Sequence, residues 1–195
     1  MSEVAVLFAH RKSVYKQIPG LDVFDIDRDS RTWPGGCPVI AHPPCRAWGG
    51  LRQFSKPRED EKALAPWAVV QVQRYGGVLE HPRGSSLWAH CGLPKGREVD
   101  EFGGFTVQVD QCWWGHKARK STWLYVVGCS QRDIPAIPLS FAEPEYVVAP
   151  SRSASRGACK HLPKSLREHT PVDFAVWLVG LARKIKSTNC IIPLD

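Results

Sequence analysis

The stretch "VIAHPPCRAWGG", Val39 to Gly50, joins an apolar strand to a loop that carries a cysteine. The apolar residues at its start predict a buried strand, which runs into Pro43 and Pro44. Proline fixes its own φ angle and restricts the residue before it, so the backbone directly before Cys45 is stiff. The stretch therefore predicts a thiol that is held rigidly at the carboxyl end of a strand.

A strand–helix–strand unit extends from this loop. The segment "KPREDEKALAPWAVVQVQRYGG", residues 56–77, predicts a helix, with Pro66 marking either its true start or a kink. The segment "GVLEH" predicts the strand that follows. Cys45 and Glu80 lie 35 residues apart across this unit. Such a unit brings both residues to neighbouring strand ends.

Further strands are predicted on both sides of this unit. They are "VAVLFA" (4–9) and "LDVFDIDRD" (21–29) before it, then "FGGFTVQVDQCWW" (102–114) and "STWLYVVGC" (121–129), an antiparallel hairpin joined by the basic turn "GHKARK" (115–120). This alternation of strands and helices predicts an α/β fold. We expect a mostly parallel sheet with helices on both faces.

The chain length predicts one domain over residues 1–195. Residues 130–161 are rich in Pro, Ser and Arg, so we expect an irregular insertion with one edge strand at 145–149. Residues 170–187 predict a closing helix with Thr170 as its N-cap.

The charge of the chain bears on its partners and its compartment. A formal net charge of +7 and a pI near 9.2 favour a polyanionic partner such as DNA. No apolar run is long enough to cross a bilayer, so we expect no membrane partner. The seven cysteines lack the dense spacing of a secreted disulfide scaffold. We therefore expect reduced thiols and a cytoplasmic protein.

Polar side chains come at the carboxyl ends of three predicted strands. They are Asp25 and Asp27, Cys45, and Glu80 with His81. Ligands of α/β sheets bind outside the carboxyl ends of the strands. The sequence therefore predicts a functional site at this edge of the sheet.

Cys45 is the candidate nucleophile and Glu80 the candidate acid. A cysteine attacks as the thiolate, so we expect Arg46 or a helix N-terminus to lower the pKa of Cys45. A carboxyl group is costly to bury at the end of an apolar strand. We therefore expect a raised pKa for Glu80 and a role as proton donor. A cysteine in a purely structural loop is the alternative interpretation of Cys45.

Four segments together resemble, in order and spacing, the motifs of the cytosine-5 DNA methyltransferases. They are "HPPCRAWGGLRQFS" (42–55), "GGVLEHPRGS" (76–85), "CWWGHKARKSTWLYVVG" (112–128) and "HTPVDFAVWLVGLAR" (169–183). The resemblance extends from Val4 to Lys186, and it is to the compact variants of phages and prophages. It implies a Rossmann-like methyltransferase fold, DNA as the substrate and S-adenosylmethionine as the cofactor, in a bacterial or phage-infected cell.

The resemblance also implies residue roles. Cys45 would add to carbon 6 of a flipped-out cytosine, Glu80 would protonate or hydrogen-bond ring nitrogen 3, and a methyl group would go to carbon 5. Arg119 or Lys120 would hold the base. The implied cofactor contacts are Phe8, Ala9, Asp25, Asp27, Pro43 and Thr170. The implied DNA contacts are Arg46, Arg83, Lys117, Arg119 and Lys120.

Three departures from the family pattern modify these expectations. The Gln-x-Arg-x-Arg motif of the family is not intact in "HKARKST" (116–122). His10, Arg11 and Lys12 stand where the family has a glycine loop, so we expect their side chains to crowd the cofactor. Residues 130–161 are too few for a full target-recognition domain. We therefore expect sequence specificity to be weak or to be supplied by a partner protein.

Three alternatives remain open. The first is a non-catalytic DNA-binding or anti-defence protein that keeps the fold. The second is a nucleotide-modifying enzyme with the same cysteine chemistry, in which residues 10–12 hold a phosphate. The third is a structural zinc site at pairs such as Cys112 and His116. These pairs lack the repeated spacing of zinc motifs, so we predict no metal site.

Overall fold

A six-stranded mixed sheet forms the centre of the computed structural model, which describes residues 3–140, 143–148 and 160–185. Its strands are β1 (Val4–Leu7), β2 (Leu21–Val23), β3 (Val39–Ala41), β4 (Gly77–Pro82), β5 (Phe105–Asp110) and β6 (Ser121–Val127). They lie in the order β2-β1-β3-β4-β6-β5, and β6 is antiparallel to both of its neighbours, whereas β1 to β4 pair in parallel. The predicted α/β class and the hairpin of β5 and β6 are confirmed.

Helices and short 3-10 turns connect these strands. The helices are α1 (Glu61–Tyr75), α2 (Leu87–His90), α3 (Lys164–Arg167) and α4 (Val172–Lys184). The 3-10 turns are Val14–Gln17, Ser30–Thr32, Arg52–Phe54, Gln111–Trp114 and Gln131–Asp133. Within the described ranges, no helix has both the length and the apolar character needed to cross a membrane.

The two longer helices cover opposite faces of the sheet. Val4 and Val6 of β1 belong to the apolar cluster that α4 completes, whereas Ala5 and Leu7 belong to the cluster that α1 completes. Successive side chains of a strand point to opposite faces, so a fully apolar strand needs cover on both sides. The prediction of helices on both faces is confirmed.

The predicted insertion contains a second, smaller sheet. β7 (Tyr146–Val147) pairs in parallel with β8 (Lys160–His161), apart from the six-stranded sheet. The edge strand that we expected at 145–149 is thus a two-residue strand, and residue 149 lies outside the described residues. Ala118 of the basic turn forms a parallel bridge with Tyr146, which attaches this small sheet to the turn.

The closing helix differs from the prediction in its start. α4 begins at Val172 with Pro171 as its N-cap, and no side-chain hydrogen bond caps it. Thr170 therefore lies one residue before the cap, and its prediction as the N-cap was wrong. Proline at the cap position has the extended ψ of a residue that precedes a helix, which moves the boundary past Thr170. The helix ends at Lys184, and residues 186 and 187 of the predicted helix lie outside the described residues.

Pro66 lies inside α1, and the helix is continuous through it. A proline in a helix has no N–H to donate to the carbonyl four residues earlier, here that of Lys62. The indole Nε1 of Trp48 donates to this carbonyl instead, at 3.1 Å. The hydrogen bond that Pro66 removes from the helix is thus replaced by one from the loop that follows Cys45.

This replacement predicts that substitutions of Trp48 and Pro66 have non-additive effects on the free energy of unfolding. Trp48→Phe leaves the Lys62 carbonyl without its donor and should destabilise the fold. In the Pro66→Ala background, the restored backbone N–H satisfies the carbonyl, so Trp48→Phe should cost less there by about 1 kcal/mol. Urea denaturation of the four proteins measures the free energies of unfolding. Equal costs of Trp48→Phe in both backgrounds would contradict this account.

Candidate active site

The topology of the sheet brings Cys45 and Glu80 to one edge. β3 and β4 are parallel neighbours in which Ala41 pairs with Leu79. The chain continues from β3 into the Cys45 loop, which we define as residues 42–58, while Glu80 is near the end of β4. Lys120 directly precedes β6, the other neighbour of β4. The strand registers place all three residues at this edge of the sheet, where the charge of Glu80 raises and that of Lys120 lowers the pKa of the Cys45 thiol.

Hydrogen bonds from two other elements hold the Glu80 side chain. His42 Nδ1 lies 3.1 Å from Oε2, and Gln111 Nε2 donates to Oε1 at 3.0 Å. The Glu80 side chain is only 11% exposed. A carboxylate only accepts hydrogen bonds, so His42 Nδ1 is the donor. The hydroxyl of buried Tyr15 then donates to His42 Nε2 at 3.0 Å.

Glu80 is a carboxylate at neutral pH. Burial raises its pKa, but the positive charge of Lys120 and the hydrogen bond from His42 outweigh burial and lower the pKa to about 2. Our expectation of a raised pKa was therefore wrong. That expectation considered only the cost of burial. The residues that compensate the charge, His42 and Lys120, come from the loop after β3 and the turn before β6, so the sequence around Glu80 does not reveal them.

Cys45 is a protonated thiol at rest. The residue has exposed surface, yet the protein around its sulfur raises its pKa, and the negative charge of Glu80 raises it further, against the opposing charge of Lys120. Our expectation that Arg46 lowers this pKa was wrong. The guanidinium of Arg46 instead forms a double hydrogen bond with the buried carboxylate of Glu61, at 2.8 and 2.7 Å.

A cavity of about 320 Å³ lies beside this site. We call it the switch cavity, because it lies next to β1 and β3, where the strand order of the sheet changes direction. Its lining comes from the loops after β1, β2 and β3 and from the start of α1. The lining residues are Phe8, Ala9, Asp25, Ile26, Asp29, Ser30, Arg31, Pro44, Arg58, Asp60 and Leu64. Three predicted cofactor contacts, Phe8, Ala9 and Asp25, are among them.

The other predicted cofactor contacts lie outside this lining. Asp27 is exposed and pairs with Arg11 at 2.5 Å. Pro43 is buried next to the lining residue Pro44, and Thr170 precedes α4. His10, Arg11 and Lys12 are exposed and are not part of the lining.

The predicted DNA contacts differ in their availability. Arg119 is exposed and lies 3.6 Å from Asp110. Lys117 is exposed and lines a second cavity of about 290 Å³ together with Cys112, His116 and Tyr146. Arg83 is also exposed. Lys120 is a further predicted DNA contact, and its charge lowers the pKa values of both Glu80 and Cys45.

Sequence reasoning missed the residues that support Glu80. His42 stands in the quoted "HPPC" segment, and Gln111 directly follows β5. The signal that could have found them is their position beside the predicted strand ends.

His81, by contrast, points to the opposite face of β4, 6.5 Å from Trp88 between ring centroids, and burial lowers its pKa to about 4. Within the described segments, no group of three His, Cys, Asp or Glu side chains could hold a metal.

The electrostatics of Cys45 predict its reactivity. Glu80→Gln removes the charge that raises the thiol pKa, so alkylation of Cys45 by iodoacetamide near pH ~8 should become faster, whereas Lys120→Met should slow it. Each unit of pKa changes the thiolate population about tenfold, so we expect effects of a few-fold. The rate is measured by mass spectrometry of the peptide that contains Cys45.

Cys129, which is partly buried and follows β6, is the internal control for this experiment. Its alkylation rate should not change in either variant. A parallel increase at both cysteines would indicate unfolding of the variant and not an electrostatic effect on Cys45. Slower alkylation of Cys45 in Glu80→Gln would contradict the assigned electrostatics.

Comparisons with known proteins assign no family to this chain. No family model matches it, and neither a curated protein nor a solved structure does. Its function must therefore be inferred from the side chains and the geometry of the site.

Proposed function

We propose that the chain is a DNA cytosine-5 methyltransferase with a Rossmann-like fold. The position of the switch cavity is the observation that supports this most strongly. β2 lies on one side of β1 and β3 on the other, so the strand order reverses between β1 and β3. Open α/β sheets bind nucleotide-type ligands at such a reversal. The cavity lies there and reaches Pro44, the residue before Cys45.

The lining of the switch cavity fits S-adenosylmethionine. Asp25 Oδ1 accepts the backbone N–H groups of Asp27 and Arg28, and Oδ2 accepts from Lys16 Nζ. A carboxylate offers about four acceptor positions, so one on Oδ2 is left for a ribose hydroxyl. Ile26 and Leu64 supply apolar surface for a flat base. When bound, this cofactor would supply an electrophilic methyl group.

Cys45 would act as the nucleophile. Its sulfur would form a bond to carbon 6 of cytosine, while the ring electrons move toward nitrogen 3 and a proton binds there. The proton lost from the thiol balances the proton gained by nitrogen 3, so the site needs no external acid. Carbon 5 becomes nucleophilic in this adduct. Once carbon 5 carries the methyl group, its own proton would pass to solvent. The proton on nitrogen 3 would then return to the sulfur as the sulfur–carbon bond breaks, which restores the free cysteine.

Glu80 would transfer the proton. Its carboxylate would relay the thiol proton to nitrogen 3 in step with formation of the sulfur–carbon bond, because a carboxylate whose pKa is about 2 would not hold that proton by itself. The hydrogen bonds from His42 and Gln111 fix the orientation of the carboxylate before the substrate arrives. Lys120 opposes the rise in the thiol pKa that the Glu80 charge causes. The resting protonation states thus supply one mobile proton, which the addition step requires.

DNA is the substrate that the charge supports. The chain carries a net charge of +7. The exposed cations Arg83, Lys117 and Arg119 come from the end of β4 and from the basic turn, which ends at Lys120. Cations placed in this way neutralise phosphates. A cytosine in a duplex would have to leave the stack to reach Cys45.

A DNA-binding protein without transfer activity is the second candidate. The engagement of Arg46 by Glu61 favours it, because this cation is then not available to lower the pKa of the adjacent Cys45. Formation of a covalent adduct distinguishes the two candidates.

Covalent capture tests the first candidate. With S-adenosylmethionine and duplex DNA that contains 5-fluorocytosine, the wild-type protein should form a denaturation-resistant adduct, because fluorine takes the place of the proton that must leave carbon 5 before the cysteine is released. Cys45→Ser should abolish it and Glu80→Gln should reduce its rate by about 100-fold or more. Cys129→Ser is the matched control. DNA binding without an adduct would leave the second candidate.

Cofactor binding has its own test. Asp25→Asn weakens the acceptor that we assign to a ribose hydroxyl, so the affinity for S-adenosylmethionine should fall by about tenfold. Asp27→Asn should change it less than about twofold, because Asp27 lies outside the cavity lining. Isothermal titration calorimetry measures both. Equal losses in the two variants would contradict the assignment of Asp25.

A further inference from the structure

The two edges of the six-stranded sheet differ in their protection against pairing with another strand. One edge strand, β2, has three residues, and its Asp22 forms an ion pair with Arg28. Short length and charged side chains are two devices that prevent edge pairing. The other edge strand, β5, has six residues, "FTVQVD", with no proline, lysine or arginine among them. β5 is therefore the less protected edge of the sheet.

The hydrogen bonds around β6 show which backbone groups of β5 face outward. In an antiparallel pair, residues that bond to the neighbouring strand alternate with residues that point away from it. The Gln111 N–H donates to the Lys120 carbonyl at 3.1 Å, so the odd-numbered residues of β5 bond to β6. The Arg83 N–H donates to the Ser121 carbonyl at 3.0 Å, so the odd-numbered residues of β6 bond to β4, as the alternation requires. The even-numbered residues of β5 therefore direct their backbone groups away from the sheet.

These outward backbone groups belong to Thr106, Gln108 and Asp110. Across the residues that the structure describes, no backbone hydrogen bond from outside the sheet occupies them. They are spaced evenly about Gln108, which is exposed. The same edge of a second copy can therefore meet them in the antiparallel direction. Gln108 then lies opposite Gln108, Thr106 lies opposite Asp110, and each pair exchanges two backbone hydrogen bonds.

The side chains of β5 suit this register. Val107 and Val109 both contribute to the cluster that α4 completes, and Val107 is only partly buried there. In the symmetric pair, Val107 lies opposite Val109 of the second copy, an apolar cross-strand contact that covers more of Val107. A register centred on Asp110 would instead place two carboxylates opposite each other, which is unfavourable. The register centred on Gln108 uses all three outward residues and avoids this repulsion.

We propose that β5 pairs with β5 of a second copy of this chain, which joins the two six-stranded sheets into one continuous sheet. The pairing has two-fold symmetry, so it occupies the β5 edge of both copies and stops at a dimer. Because the paired strands run in opposite directions, the Cys45 sites of the two copies face opposite ends of the joined sheet. Both sites therefore stay open. This inference goes beyond the proposed function and does not depend on it.

Hydrogen exchange of single amides, followed by NMR at a low and a high protein concentration, tests the pairing. At the high concentration, the N–H groups of Thr106, Gln108 and Asp110 should exchange more slowly by on the order of tenfold or more. Those of Val107 and Val109, which bond to β6, should be protected at both concentrations. Light scattering should show the mass rising from the 21.8 kDa of one chain toward twice that value. Added salt should favour the dimer, because it screens the repulsion between two chains of net charge +7.

Two substitutions of Gln108 should prevent the pairing and leave the sheet intact. Gln108→Pro removes an N–H that does not bond to β6, and the outer side of an edge strand tolerates proline. Gln108→Lys places two like charges opposite each other at the symmetry axis. Both variants should be monomeric at the concentration at which the wild-type protein is a dimer. Gln131→Lys, at another exposed glutamine, adds the same charge elsewhere and should remain dimeric.

Three results would overturn the proposal. One is a monomer at every concentration, with fast exchange at the even-numbered amides of β5. Another is a dimer that both Gln108 variants leave intact, because a different surface would then form the contact. The third is protection of these amides that does not change with concentration, because another part of the same chain would then cover the edge. None of these results affects adduct formation with 5-fluorocytosine DNA, so the two proposals fail separately.

Discussion

The buried carboxylate of Glu80 is the constraint on which the site depends. An ionised group beneath the surface must be compensated, because desolvation disfavours its charge. The compensation comes from three different elements: His42 after β3, Gln111 after β5 and Lys120 before β6. The loop that carries Cys45 and the basic turn are therefore tied to the same charge on β4.

Burial and that charge together keep the Cys45 thiol protonated at rest. A carboxylate near a thiol favours the protonated thiol, and Lys120 limits this effect without reversing it. The site thus stores a proton on sulfur instead of a negative charge. For addition to a neutral ring that must gain a proton, this arrangement is productive, because a single transfer supplies both the thiolate and the acid. For a reaction that needed only a strong nucleophile, it would be a disadvantage.

The sequence predicted what depends on local patterns and missed what depends on distant contacts. Apolar runs and a strand–helix–strand spacing sufficed for the α/β class, the hairpin and the convergence of Cys45 and Glu80. The direction of both expected pKa shifts was wrong. Lys120 and His42, which come from separate elements, lower the pKa of Glu80, whereas burial and the charge of Glu80 raise the pKa of Cys45. Arg46 shows the same limit: it is adjacent to Cys45 in sequence, yet Glu61 binds it. Sequence neighbours suggest electrostatic partners, but only packing decides them.

Pro66 illustrates how an apparent defect in a helix can position a site. By removing one N–H from α1, it leaves the Lys62 carbonyl open, and the indole of Trp48 takes that position. Trp48 belongs to the Cys45 loop, and its own carbonyl accepts hydrogen bonds from Ser86 after β4. One residue thereby connects the loop both to α1, through its indole, and to the segment after β4, through its backbone carbonyl. Cys45 is placed relative to the sheet through this contact. A helix without the proline would satisfy its own carbonyl and leave the loop without this anchor.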